Sequence, residues 1–315
     1  MRFTAKRSLS GNWSAGQARK PRSLSWYLID LHTHTNESDG SYTPEELVWA
    51  ALDAGLEALA ISDHDTFSGY DQVTTLARAH GLDLVCGIEL STRMAVSASN
   101  TKNVHLLGYF LNEPPSFGFR EWLQEIQTAR RQRNQQLVDR LRELEVDITL
   151  PEVEALGRSL TGRPHFARLL VQKGYAEDTD QAFRKYLSES APSFVERDSP
   201  HLAFAIQQII AGGGVPVVAH PIRLGVRDFD REESLIAEMR DMGLGGIEAY
   251  HSDHNPHDMS RYLALAQKYD LAVSGGSDFH GSAKPRISLG TGYDRNLNIP
   301  REVLDRLRKS STVAR

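Results

Sequence analysis

Two imidazoles one residue apart, His32 and His34, follow the short apolar run YLIDL, and a carboxylate, Asp39, stands five residues further on. Residues two apart on a strand point the same way, so the pair can present two ring nitrogens to one centre. Comparable residues recur along the chain: His64 in SDHD, Glu89 in GIEL, His105 in VHLLGYF, His220 in AHP, and Asp278 and His280 in SDFH. Neutral imidazole and carboxylate suit Mn²⁺, Fe²⁺ or Zn²⁺, and the lack of a thiolate among them fits a catalytic rather than a structural site. One ion takes roughly four to six donors, water included, so these residues are too many for one. Two or three clustered divalent ions account for them, with Glu89 bridging, His32 and His34 gripping one ion and Asp39 reaching a neighbour. A single HxH pair on a strand is more often a core or surface histidine. The recurrence of such residues carries the metal reading.

The elements that must position these groups alternate. YLIDLH, LEALAISDH, LDLVCGIEL, VHLLGYF, GVPVVAH, LGGIEAY and LAVSGGSDFH read as strands, and most are separated by amphipathic stretches. That order predicts an α/β fold with a parallel sheet or βα barrel. In such a barrel the C-terminal strand ends share one face, where active sites form, and the acidic and histidine residues sit at those ends. TPEELVWAALDAG reads as a helix with Thr43 at the N-cap, Pro44 at N1, Glu46 at N3 and Gly55 at the end. Residues 117–211 read almost wholly as helix. The predicted organisation is a barrel from 27–116 and 212–315 with a helical insertion, 117–211, as a substrate cap. Asp63 is a candidate to orient His64. His80, His201 and His257 read as helix-surface residues.

Composition narrows the classes. The chain has 315 residues, 40% hydrophobic and 24% charged, with a net charge of −5. No global basic field exists to attract nucleic acid. Apolar stretches such as Val215 to Ala219 are far too short to span a bilayer, so no membrane partner is expected. Cys86 is the only cysteine, which excludes an internal disulfide, predicts no disulfide-linked partner and makes a reducing, cytoplasmic setting the default. Residues 1–26 are basic and contain no acidic residue. They read as a flexible extension, with a transit-type segment as the alternative.

The stretches DLHTHTNESDGSYTPEELVWAALDAGLEALAISDHDT, GIELST, HLLGYF, GRPHFARLLV, AHP, GIEAYHSDH and GSDFHG, in that order, resemble the PHP (polymerase and histidinol phosphatase) family over about Leu28 to Gly290, most closely its stand-alone members acting on nucleotides. The resemblance implies a distorted, seven-stranded, TIM-like βα barrel with a trinuclear centre and Mn²⁺ as the expected metal. It implies His32, His34, Glu89 and Asp278 on one ion, Glu89, His105 and His220 on a second, and Asp39, His64 and His280 on a third. The long stretch between Glu89 and His105 departs from the family pattern and makes the register of His105 the least secure.

The resemblance also implies phosphate binding by ARRQRN and GRPHFARLL, through Arg131 or Arg133 with Asn134, and through Arg163 with His165. Without it, ARRQRN reads as a solvated helix face. A hydrolase without a nucleophilic side chain follows, with attack by a water activated between ions and His254 as candidate general acid, His251 in reserve. The expected activity is hydrolysis of a phosphomonoester of a small nucleotide, such as a 3′,5′-nucleoside bisphosphate. Alternatives are a 5′-to-3′ exoribonuclease acting on the 5′ end of short RNA, a histidinol-phosphate phosphatase, and a metal-binding scaffold without activity.

Overall fold

Thr43 opens the first helix as its neighbours require. In the computed structural model, which describes residues 28–97 and 100–313, its hydroxyl accepts from the Glu46 N–H at 3.1 Å and the Glu46 carboxylate accepts from the Thr43 N–H at 2.8 Å. This reciprocal cap starts α1 (Pro44–Ala54), and Gly55, at φ 76°, ends it in the left-handed region that favours glycine. The basic segment 1–26 lies outside the described residues.

Seven strands form one sheet in sequential order: β1 (Ile29–Asp30), β2 (Ala58–Ile61), β3 (Asp83–Ser97), β4 (Asn100–Phe110), β5 (Val215–Val218), β6 (Gly246–His251) and β7 (Ala272–Gly276). The parallel strands are short and buried on both faces, as ALAI and VPVV are, which is why they read as unbroken apolar runs. Helices α1, α2 (Ser68–Ala79), α8 (Phe229–Asp241) and α9 (Pro256–Lys268) follow the parallel strands or the segments after them. The first and last strands meet. The Leu31 N–H donates to Gly275 O at 3.1 Å and the Asp278 N–H to His32 O at 2.9 Å. A Cβ on Gly276 would overlap His32, so glycine permits this closure. The result is a nearly closed seven-stranded barrel with helices around it. At the opposite end of the sheet from the metal-type residues, α10 (Arg301–Val313) buries Leu304 and Leu307 against Ile29, Val85 and Val217.

The sheet is not wholly parallel. β3 and β4 are a hairpin, and β4 is antiparallel to both β3 and β5. This reversal changes how His105 arrives. Ser91 pairs with His105 and Glu89 with Leu107, so His105 sits in the first half of a descending strand and still faces the end where Glu89 lies. The long stretch between Glu89 and His105 is the pair of arms of this hairpin, and it rises beyond the barrel.

The cap has an apolar core of its own, from Leu137 through Phe166 to Leu187. It comprises the second half of α3 (Phe117–Glu143), α4 (Leu150–Glu154), α5 (Arg163–Gln172), α6 (Thr179–Ala182) and a π-helical turn, Phe183–Leu187. The predicted limits of 117 and 211 are wider than this core. Phe119 and Leu123 of α3, and Leu202, Ala205, Ile206 and Ile209 of α7 (Leu202–Ala211), pack in the barrel core instead. Helix α3 therefore bridges both cores. Among the described residues no helix is long and apolar enough to cross a membrane.

Candidate metal centre

Glu89 ends the shared part of β3 and points into a ring of imidazoles. Its Oε1 lies 2.8 Å from His105 Nδ1 and 3.0 Å from His220 Nε2. Its Oε2 lies 3.2 Å from His34 Nε2, 3.2 Å from His64 Nδ1 and 3.3 Å from His32 Nε2. Beside them, Asp278 Oδ1 is 3.5 Å from His34 Nε2, and Asp39 Oδ1 is 3.2 Å from His280 Nε2. The structure thus brings all nine predicted metal-type residues to one place. Donor atoms of His34, Asp39, His64 and His280 lie within 4.8 Å of one another, as do those of His32, Glu89 and His220, of His32, His34 and Asp278, and of His64, Glu89 and His105. His220 and Asp278 hold positive φ values of 28° and 59°, a backbone cost of the kind that gathers at functional sites.

These residues fit divalent cations. His32 Nε2, both ring nitrogens of His34 and His64 Nδ1 are buried without a hydrogen-bond partner, an arrangement that costs free energy unless something accepts their lone pairs. The donors are nitrogen and oxygen only, as hard and borderline cations prefer. Cys86 takes no part: it is buried, and burial pushes its thiol up.

Sequence reasoning gave Glu248 no role and held His251 only as a reserve acid, yet both support the cluster. Glu248, on β6, is fully buried, with Oε1 2.9 Å from His32 Nδ1 while Oε2 accepts the His220 N–H at 2.6 Å. It fixes the ring of His32 so that Nε2 faces Glu89. Glu248→Ala should lower divalent-metal affinity by about 10- to 100-fold, read by competition with a chelating dye, and Glu248→Gln should recover part of the loss. His251 Nε2, buried and without a hydrogen bond, lies 3.8 Å from Asp278 Oδ2. Their signal was present in GIEAYH, where Glu248 and the following histidines close a predicted strand.

Other residues stand elsewhere than expected. His254 does not reach the cavity. Its ring is buried behind His251, at 5.3 Å between centroids, and lies 4.7 Å from Tyr262, while its Nδ1 is 2.9 Å from Ala249 O. Burial pushes it down to about 4, so at neutral pH the ring is uncharged, and its Nδ1 is turned to the Ala249 carbonyl rather than towards the cavity. Asp63 does not orient His64. It accepts from the Thr35 N–H at 2.7 Å, the Thr35 hydroxyl at 2.6 Å and the Ser38 hydroxyl at 2.6 Å, anchoring the loop that carries Asp39. His80, His201 and His257 are exposed.

Between the imidazole cluster and the cap lies a cavity of about 550 Å³, lined by Asp39, His64 and His105 on one side and Arg130, Arg133 and Arg163 on another. The buried stripe of α3 runs Phe119, Leu123, Ile126, Arg130, Arg133, Leu137, Leu141, the spacing of one helix face. Arg130 and Arg133 fall on it. Arg131 falls off it, is exposed and pairs with Glu154 at 2.7 Å, so it does not reach the cavity. Phase along this stripe was the signal that could have found Arg130. Asn134 does not line the cavity either. Its side chain donates to Thr161 O at 2.9 Å and so fixes the entry to α5, where Arg163 and His165 do line it. His165 Nδ1 accepts the Gly162 N–H at 3.1 Å, and burial pushes the ring down to about 4. Arg197, from the segment after the cap core, was not predicted. It joins Arg130 on the carboxylate of Asp65, the Arg197 contact being 2.7 Å.

The family model of the PHP domain matches residues 30–189. The chain belongs to the PHP domain family. It is 31% identical over 252 residues to a 5′-3′ exoribonuclease of Haemophilus influenzae, covering 80% of this chain and 89% of that protein. It is 31% identical over 268 residues to a 3′,5′-nucleoside bisphosphate phosphatase of Chromobacterium violaceum, covering 83% and 90%. Among solved structures, a Bifidobacterium adolescentis protein assigned to the metal-dependent phosphoesterases superposes with a TM-score of 0.74 at 32% identity, covering 90% of this chain and 96% of that one. This PHP protein is accordingly a metal-dependent phosphoesterase, a hydrolase whose His, Asp and Glu clusters are able to hold metal ions. The barrel strands and the turns after them carry those clusters, and α3, α5 and the segment that holds Arg197 carry the arginines.

Proposed function

We propose that this enzyme removes a phosphate from a small nucleotide carrying a second phosphate, such as a 3′,5′-nucleoside bisphosphate. The observation that carries this reading is Arg133. Its guanidinium is buried on the cavity wall and pairs with no carboxylate among the described residues. Burial, with Arg130, Arg197 and Arg163 nearby, pushes it down to about 9, so it is charged at neutral pH and in need of a counter-ion. Arg130 and Arg197 are taken up by Asp65. Arg163 donates to the Leu187 carbonyl at 3.2 Å and makes no ion pair among the described residues, the Glu189 carboxylate attracting it from further off. A phosphate in the cavity would meet both, and arginine matches it with paired N–H groups. The volume suits a mononucleotide.

Bound divalent ions would lower the pKa of a water and neutralise phosphoryl oxygens. His32, His34, Glu89 and Asp278 would hold one, Glu89, His105 and His220 another, and Asp39, His64 and His280 a third, with Mn²⁺ the expected metal. Glu89 holds the negative charge around which the imidazoles gather, and Glu248 keeps His32 turned towards it. Arg133 and Arg163 bind the phosphate that is not cleaved and so set the distance of the other from the cluster. The name of the Chromobacterium violaceum relative supports this substrate. The Haemophilus influenzae relative, of equal identity, supports the second reading, in which the same cavity takes the 5′-terminal nucleotide of a short RNA.

The test is phosphate release with Mn²⁺ from 3′-phosphoadenosine 5′-phosphate, AMP, histidinol phosphate and a 5′-phosphorylated short RNA, with Glu89→Gln as the blank. Release from the bisphosphate, absent in the variant, supports the proposal. Mononucleotides from the RNA without release from the bisphosphate would replace it with the exoribonuclease reading. Arg133→Ala should raise KM for the bisphosphate by about 10- to 100-fold, the worth of a charged hydrogen-bonded contact of ~1.5–3 kcal/mol, and change KM for AMP much less.

A further inference from the structure

The cavity has a third kind of wall. Beside the imidazole cluster and the arginines stand Phe183, Phe194, Val195, Leu160 and Pro164. Phe194 is half-buried, yet it belongs to none of the apolar clusters of the barrel or cap. The Arg163 guanidinium lies 5.9 Å from its ring centroid. Phe183 is also half-buried, backs onto the cap core and opens the π-helical turn Phe183–Leu187. Such turns occur frequently at functional sites. An aromatic ring that packs in no core, lines a cavity and carries a guanidinium beside it is not explained by folding.

Resting on the nucleotide reading above, we propose that Phe194, with Phe183, forms a base-stacking subsite for the nucleobase of the substrate. The arginines need an anion and this wall needs a flat, uncharged group; a nucleotide offers both in one molecule. Ring faces attract any base through its π surface, and arginine adds to the stack. The subsite therefore reads aromaticity rather than base identity, and purine and pyrimidine nucleotides bind alike to within a few-fold. Phe194 is here a specificity-determining residue that takes no part in the chemical step.

The test compares KM for adenosine 3′,5′-bisphosphate with KM for the 1-O-methyl riboside 3,5-bisphosphate, which lacks a base. Wild type should favour the base-bearing substrate by about tenfold or more, the effect of one stacked base. Phe194→Leu should close that gap, and Phe194→Trp should keep it. A second readout needs no turnover: 2-aminopurine riboside 3′,5′-bisphosphate, added with chelator present, should lose fluorescence on binding wild type and much less on Phe194→Leu. A gap unchanged in Phe194→Leu, or no gap in a wild type that cleaves both compounds, overturns the stacking subsite and leaves the nucleotide reading standing. A wild type that neither cleaves nor binds either compound overturns both.

Discussion

Glu89→Gln lowers kcat on the preferred phosphoester by about three orders of magnitude, the rate equivalent of the several kcal/mol that a metal centre contributes to a phosphoryl-transfer transition state. The expectation follows from position. Five histidines approach the two oxygens of this one buried carboxylate at 2.8 to 3.3 Å. The amide keeps the shape and one acceptor oxygen but removes the charge, and its NH₂ would face ring nitrogens that must stay free to ligate. Steady-state assays with Mn²⁺ in excess check it, alongside bound-metal analysis of the purified variant, which should hold less metal than wild type. A variant with full metal content and undiminished kcat would remove Glu89 from the centre of the chemistry.

The second large effect is on stability. Asp65 lies at a positive φ of 50° and is fully buried. It accepts from Arg130 of α3 and from Arg197 beyond the cap core, while the Gln127 side chain donates to its carbonyl at 2.8 Å and the Ser91 N–H to its Oδ1 at 3.2 Å. One carboxylate thus ties the cap, the barrel and the hairpin together. Asp65→Ala leaves the buried Arg130 and the partly buried Arg197 unpaired and should cost ~3–5 kcal/mol, a shift of roughly 1 M or more in the urea midpoint.

The effect has a pH signature. Burial opposes ionisation of Asp65, but Arg197 and Arg130 outweigh it and hold the carboxyl down at about 2, against 3.8 ordinarily. The unfolded chain therefore takes up the proton first. The contribution is complete above about pH 4 and is lost as pH falls from there towards 2. Urea midpoints of wild type and variant should differ most at neutral pH and converge as acid is added. A constant gap at pH 7 and pH 3 would argue against the ion pairs as its source.

The residues that could bind metal were legible because their signal is local: His32 and His34 follow an apolar run, and Asp278 and His280 close another. The limits of that reading appear at α3. ARRQRN was read as a motif rather than as a phase. The periodicity of Phe119, Leu123 and Ile126 carries Arg130 and Arg133 inward and Arg131 out to Glu154. His254 was assigned by its place after a strand end, yet one turn of chain separates a ring aimed at Asp278, that of His251, from a ring packed on Tyr262.

The sequence by itself determined the donor types and the strand–helix alternation, since each rests on residues within a few positions of one another, while the choice of a barrel over an open sheet rested on the resemblance to the PHP family. The tertiary structure decided the rest. It reversed β4, so that His105 descends onto Glu89 from a hairpin. It paired Asp65 with Arg197, 132 residues away, which no local pattern encodes. It also left Arg133, buried on the cavity wall, without an ion pair among the described residues, because which arginine finds a partner depends on what the folded chain brings beside it.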